Sequence, residues 1–149
     1  MRLGIDVGTV RVGVAGCDPG GVLAAPVAVL RRDRAGAELE ELRRLVVERD
    51  CVEVVVGLPR SLSGRAGPAE RAARAYAAGL AGVLAPIPVR LVDERLSTVQ
   101  ATAGLAAAGV RGRRARARVD AAAATVILQA ALDAERRTGR PPGELAGDA

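Results

Sequence analysis

Leu3-Gly4-Ile5-Asp6-Val7-Gly8 is the stretch from which the rest of the chain is read. Its apolar residues make a strand, and an acid stands in the middle of it. Burying an unpaired carboxylate is strongly unfavourable, so this strand needs something that compensates Asp6. Gly4 and Gly8 flank it, where side chains would otherwise block close approach. The candidates for the missing partner are a cation, a metal ion or a phosphate-bound metal.

Working outward, Val10, Val12 and Val14 alternate with Arg11 and Gly13 in a second strand over Val10–Ala15. The cluster Cys17-Asp18-Pro19-Gly20-Gly21 is a turn, and Val22–Leu30 reads as a third strand. Short strands joined by tight turns form an antiparallel meander. Leu39, Leu42, Leu45 and Val46 recur at helical spacing within 37–49, with Glu40 and Arg44 as an i,i+4 pair. Cys51–Val56 is an apolar run interrupted only by Glu53, the pattern of a buried parallel strand. After the Gly57–Gly67 loop, Pro68 suits the first position of a helix through Tyr76, Leu80 and Val83. A further strand, Ile87–Val92, ends in Asp93-Glu94-Arg95. Ser97 or Thr98 can cap a helix to Gly109, a basic run occupies 111–118, and a last helix covers Val119–Arg137. The order βββαβαβαα gives one α/β domain over residues 1–137, a mixed sheet flanked by helices. Residues 138–149, with Pro141-Pro142, read as a flexible tail.

Composition excludes several chemistries. The 149 residues suit one domain with a real core, and no window approaches the roughly 20 apolar residues of a membrane span. No secretory signal is visible, and Cys17 and Cys51 read as reduced core residues, so a cytoplasmic location is expected. The chain has no histidine, which removes Ser-His-Asp triads and His-ligated metals. It has no lysine either, which removes the Lys-dependent phosphate loop. A GC-rich genome that favours Arg and Ala codons accounts for that bias. The net charge of +5 suits a polyanionic partner. With Tyr76 as the single aromatic residue, recognition must run through phosphates and backbone shape instead of base stacking.

Two further acids join Asp6. On the last helix, Thr125, Gln129 and Asp133 define a polar face, and Asp120 lies opposite. Its stripe is Ala123, Ala124, Ile127 and Ala131, so Asp120 is expected to point toward the sheet. An Asp near a helix start also serves to satisfy backbone N–H groups. Asp93-Glu94 stands at the carboxyl end of a strand, where sites gather in open α/β sheets, although such a pair also suits a surface turn. Three carboxylates without histidine suit hard cations, Mg²⁺ or Mn²⁺. Two such ions about 4 Å apart can clamp the attacking and leaving oxygens of a phosphodiester.

The ordered set Gly4-Ile5-Asp6-Val7-Gly8, Arg11-Val12-Gly13-Val14-Ala15, Gly57-Leu58-Pro59, Asp93-Glu94-Arg95-Leu96-Ser97-Thr98, Val119-Asp120-Ala121-Ala122-Ala123 and Ile127-Leu128-Gln129 resembles the YqgF/RuvX family. The resemblance runs from Arg2 to about Asp133. It implies an RNase H-like fold with a mixed five-stranded sheet, and Asp6, Glu94 (less directly Asp93) and Asp120 as metal-binding catalytic acids. It implies nucleic-acid contacts by the Gly57–Gly67 loop and nearby arginines: Arg11, Arg60, Arg65 and Arg95. Arg111, Arg113, Arg114, Arg116 and Arg118 stand where family members often carry lysine, and Arg can grip phosphate bidentately. Many members have Asp before the loop glycine, where this chain has Ser63 before Gly64. The function implied is a metal-dependent endonuclease on structured nucleic acid, maturing the 5′ end of precursor 16S rRNA. The alternatives are a Holliday junction resolvase and a non-catalytic nucleic-acid-binding assembly factor. An actin-like or sugar-kinase ATPase shares the Asp-Val-Gly-Thr pattern but needs two such lobes. The partners expected are RNA or branched DNA and no membrane, with a homodimer left open.

Overall fold

The computed structural model describes residues 1–60, 63, 65–94 and 112–147, with backbone alone for 112–120. The meander is present as β1 (Arg2–Val7), β2 (Arg11–Cys17) and β3 (Ala24–Arg31), antiparallel throughout. Asp18 closes the β2–β3 turn by accepting the N–H groups of Val22 and Leu23 at 2.8 and 2.7 Å. These bonds, Leu23 first, hold its carboxyl below the usual carboxylate range. Helix α1 (Ala37–Glu48) leads to β4 (Glu53–Leu58), and α2 (Pro68–Leu84) to β5 (Val89–Asp93). Pro68 stands in the first turn of α2, where its missing N–H costs nothing. The expected helix ending at Gly109 lies outside the described residues.

The sheet order is β3-β2-β1-β4-β5-β6, with β1, β4 and β5 parallel. Central β4 is buried at all six positions, as its apolar run requires. Its one charged residue, Glu53, is held by Arg2 and Arg90 at 3.2 and 3.0 Å. Helices α1 and α2 cover one face, packing Leu42, Val46, Ala77 and Leu80 against Leu3, Ile5, Val54 and Val56.

Helix α3 (Gly112–Thr138) covers the other face with Ala124, Ile127, Leu128 and Ala131. The buried stripe expected from the sequence is thus on the sheet side. The helix starts seven residues earlier than Val119, at Gly112. Arg and Ala are strong helix formers, and nothing after Gly112 breaks the run. The sheet has six strands where five were expected. The sixth, β6 (Glu144–Leu145), comes from the segment read as a tail and pairs with Arg90 and Leu91 of β5. Gly143 makes this docking possible: its φ is +68°, and a Cβ there would lie 1.9 Å from the Leu91 carbonyl oxygen.

Candidate active site

Strand alternation decides which acids meet. Leu3 and Ile5 pack toward α1 and α2, so Gly4 and Asp6 lie on the α3 face, where Gly4 touches Leu128. On β4 the α3 face carries Val55 and Gly57. On β5 it carries Val92, which places Glu94 on that face and Asp93 on the other. Asp93 is exposed and lines a separate hollow of about 300 Å³ with Arg60, Gly143 and Glu144. Glu94, not Asp93, is the acid that reaches Asp6.

The carboxyl groups of Glu94 and Asp6 are hydrogen-bonded to each other. They reach across Gly57, which lies on the strand between them. A Cβ on Gly57 would fall 2.5 Å from both Glu94 Oε2 and Ile127 Cδ1. Glu94 Oε2 is the buried side-chain oxygen among the described residues that has no hydrogen-bond partner. Burial first, then the charge of Asp6 and the shared hydrogen bond, push the Glu94 carboxyl up to about 7.

Asp120 belongs to the backbone-only part of α3, and its register places it. The helix runs antiparallel to β1, because Arg2 binds Glu135 at 2.9 Å while Gly4 meets Leu128 and Ala124. Two strand residues rise about 6.6 Å and four helical residues about 6 Å. Position 120 therefore comes level with Asp6. No group of three acids that could hold a metal is complete among the described residues. Two oxygen-donor acids with one orphaned buried oxygen form a donor set that fits a hard divalent cation.

The raised Glu94 carboxyl makes stability pH-dependent in the metal-free protein. An acid that binds its proton more tightly folded than unfolded stabilises the fold fully below its unfolded value of 4.5. That contribution is lost as pH rises through about 7. Thermal unfolding in EDTA is expected to show a loss on the order of 1–2 kcal/mol across this window, discounted for partial exposure. Glu94→Gln should flatten the profile.

A family model described as "RuvX: Holliday junction resolvase" matches residues 1–134. The chain belongs to the RuvX family. A Streptomyces coelicolor relative, named as a candidate pre-16S rRNA nuclease, is 53% identical over 96% of this chain and 86% of its own. A Thermobifida fusca relative of the same name is 55% identical over 97% of this chain and 94% of its own. Among solved structures, T. thermophilus RuvC in complex with a Holliday junction substrate superposes with a TM-score of 0.60 at 16% identity, covering 95% of this chain and 98% of that one. A second Thermus thermophilus RuvC structure gives 0.53 at 18%, covering 97% and 98%. The fold is RNase H-like.

The arginines expected to touch nucleic acid in this RuvX chain are dispersed. Arg11 begins β2 on the Asp6 face. Arg60 is half-exposed, its Nε 3.8 Å from the buried Glu70, which also holds Arg74 at 3.2 Å. Arg65 is exposed in the loop. Arg113, Arg114, Arg116 and Arg118 lie along the first turns of α3, while Arg95 and Arg111 lie outside the described residues. Sequence reasoning missed Arg32. Its Nη1 donates to the Gly8 carbonyl at 2.9 Å, bracing the turn that follows Asp6. Its guanidinium lies 4.9 Å from the centre of the Tyr76 ring, so the lone aromatic supports a turn. The Tyr76 hydroxyl donates to Glu38, and burial, then the Glu38 charge, hold it well above its ordinary pKa.

In the sequence, Gly57 marks no more than the start of a loop. In Gly57→Ala the methyl meets the flexible ends of Glu94 and Ile127, so the fold should survive while Glu94 is displaced from Asp6. A displacement of that order is expected to cost about 10²-fold in cleavage rate with little change in melting temperature.

Proposed function

We propose that this chain is a metal-dependent endonuclease of structured nucleic acid that matures the 5′ end of precursor 16S rRNA. The observation that carries the reading is the Asp6–Glu94 carboxyl pair with its orphaned buried oxygen, at the carboxyl ends of parallel strands. Asp6, Glu94 and Asp120 would hold Mg²⁺ or Mn²⁺. Such an ion, when bound, supplies Lewis acidity and a water acidic enough to attack a phosphodiester. Asp6 and Glu94 themselves offer carboxylate oxygens in a half-buried setting, where a charge interaction is stronger than in bulk water. The arginines around the site neutralise backbone phosphates and set the strand's register without reading its bases.

The relatives' names support the RNA substrate. The reading places the protein in the cytoplasm, and no described helix is long and apolar enough to cross a membrane. The family description favours a second substrate, the four-way DNA junction, for the same chemistry. Side-by-side cleavage of precursor 16S rRNA and a four-way junction, with Mg²⁺ or Mn²⁺, separates the two. Cleavage of the RNA at its 5′ end is the expected result; cleavage of the junction alone would transfer the activity to DNA.

A further inference from the structure

Asp6 is held in its strand less completely than the residues before it. The β1–β4 pairs run from Arg2 to Ile5 of β1, whereas the β1–β2 pairs continue through Asp6 and Val7. Beyond Ile5, the support for Asp6 therefore comes from β2 and from the turn that joins the two strands. That turn has little packing of its own. Gly8 has no side chain, and Thr9 and Val10 are exposed.

One residue brackets the turn. Arg32, just past β3, donates its backbone N–H to the Val10 carbonyl at 2.8 Å and its Nη1 to the Gly8 carbonyl at 2.9 Å. The two bonds straddle Thr9. The guanidinium is itself seated, 4.9 Å from the centre of the Tyr76 ring on α2. The Tyr76 hydroxyl in turn donates to Glu38 of α1 at 3.4 Å. Glu38 is buried, and its other carboxylate oxygen accepts the N–H of Asp33, the residue after Arg32, at 3.1 Å. Glu38, Tyr76, Arg32 and Asp33 thus close a circuit of direct contacts that ties both helices of one face to the turn after Asp6. Arg32 is exposed and lies outside both core clusters, so its side chain serves the turn and not the core.

We propose that Arg32, seated on Tyr76, is a positioning residue that fixes the Gly8 turn and so holds the Asp6 carboxylate in place for a divalent ion. This inference rests on the nuclease reading, in which Asp6 is a metal ligand. It carries a sign that separates it from a simple charge effect. A guanidinium near a cation site repels the cation, so removing it would tighten metal binding if charge alone mattered. Loss of a group that orients a ligand weakens metal binding instead.

The test is Mn²⁺ binding to the full chain, read from the electron paramagnetic resonance signal of the free ion. Arg32→Gln is expected to weaken Mn²⁺ binding about tenfold, with little change in melting temperature. Tyr76→Leu changes no charge, yet should weaken Mn²⁺ binding to a similar extent. Because the two residues act as one unit, the double variant should bind no worse than the poorer single one. In cleavage of precursor RNA by Arg32→Gln, the rate should fall while the KM for RNA holds, and the lost rate should return at high Mn²⁺. Unchanged or tighter Mn²⁺ binding in Arg32→Gln overturns the positioning role and leaves the nuclease reading standing. If that variant instead loses RNA affinity in EDTA, Arg32 is a phosphate contact. A loss confined to Arg32→Gln overturns the seat on Tyr76. A wild-type protein that binds no Mn²⁺ overturns the metal-dependent reading and this role together.

Discussion

Asp6→Asn is expected to cut precursor RNA about 10³-fold more slowly than the wild-type protein at saturating Mg²⁺. The substitution preserves shape and removes one charge. Asn also keeps an oxygen that can accept the Glu94 proton, so the fold should not suffer. Removing one of two apposed carboxyls lowers the repulsion that pushes Glu94 upward, and the metal-free variant should melt at or above the wild-type temperature at neutral pH. Lost activity with retained stability is the signature of a group that acts in the reaction. Single-turnover cleavage and thermal unfolding on the same preparation read both quantities. Equal cleavage by the variant would show a contaminating nuclease and sink the proposed activity.

The carboxyl pair also shows how far the sequence could be read. Asp6 announced itself because an acid in an apolar strand is an anomaly that any single sequence exposes. The stripe Ala123-Ala124-Ile127-Ala131 was legible because a helix of that length repeats its pattern several times, and the structure buries those residues. Choosing between Asp93 and Glu94 needed more, because adjacent residues on a strand end point to opposite faces and sequence does not say which face is which. The packing of Leu91 and Val92 on opposite sides puts Glu94, and not Asp93, on the Asp6 face. Gly57 and Arg32 were out of reach for another reason. Each acts through a neighbour on a different strand or helix, and register is a tertiary fact. Strand β6 was hidden because two residues carry no period, and its docking depends on a backbone contact at Gly143. The start of α3 is hidden in the sequence because the dense positive charge over 112–118 masks the helix propensity of its Arg and Ala residues.

Gly4→Val tests whether the strand carrying Asp6 and the helix carrying Asp120 behave as one unit. The Cβ of any residue at position 4 would lie 2.6 Å from Leu128 Cβ and 2.9 Å from the Ala124 carbonyl oxygen. Neither atom is the free end of a side chain, so relief requires α3 to lift from the sheet. Valine adds two further methyl groups in the same place. Overpacking of this kind costs about 1–3 kcal/mol, and more where the obstacle is backbone, so a loss of about 3 kcal/mol in denaturant unfolding is expected. Gly4→Ala should show the smaller part of that loss. Position 120 sits one helical turn from Ala124, so lifting the helix also widens its distance from Asp6. Cleavage in Gly4→Ala should therefore fall further than its stability does, measured well below its melting temperature. A Gly4→Val protein as stable as wild type would mean that α3 does not seat on β1 as described. The register that brings position 120 level with Asp6 would then fail with it.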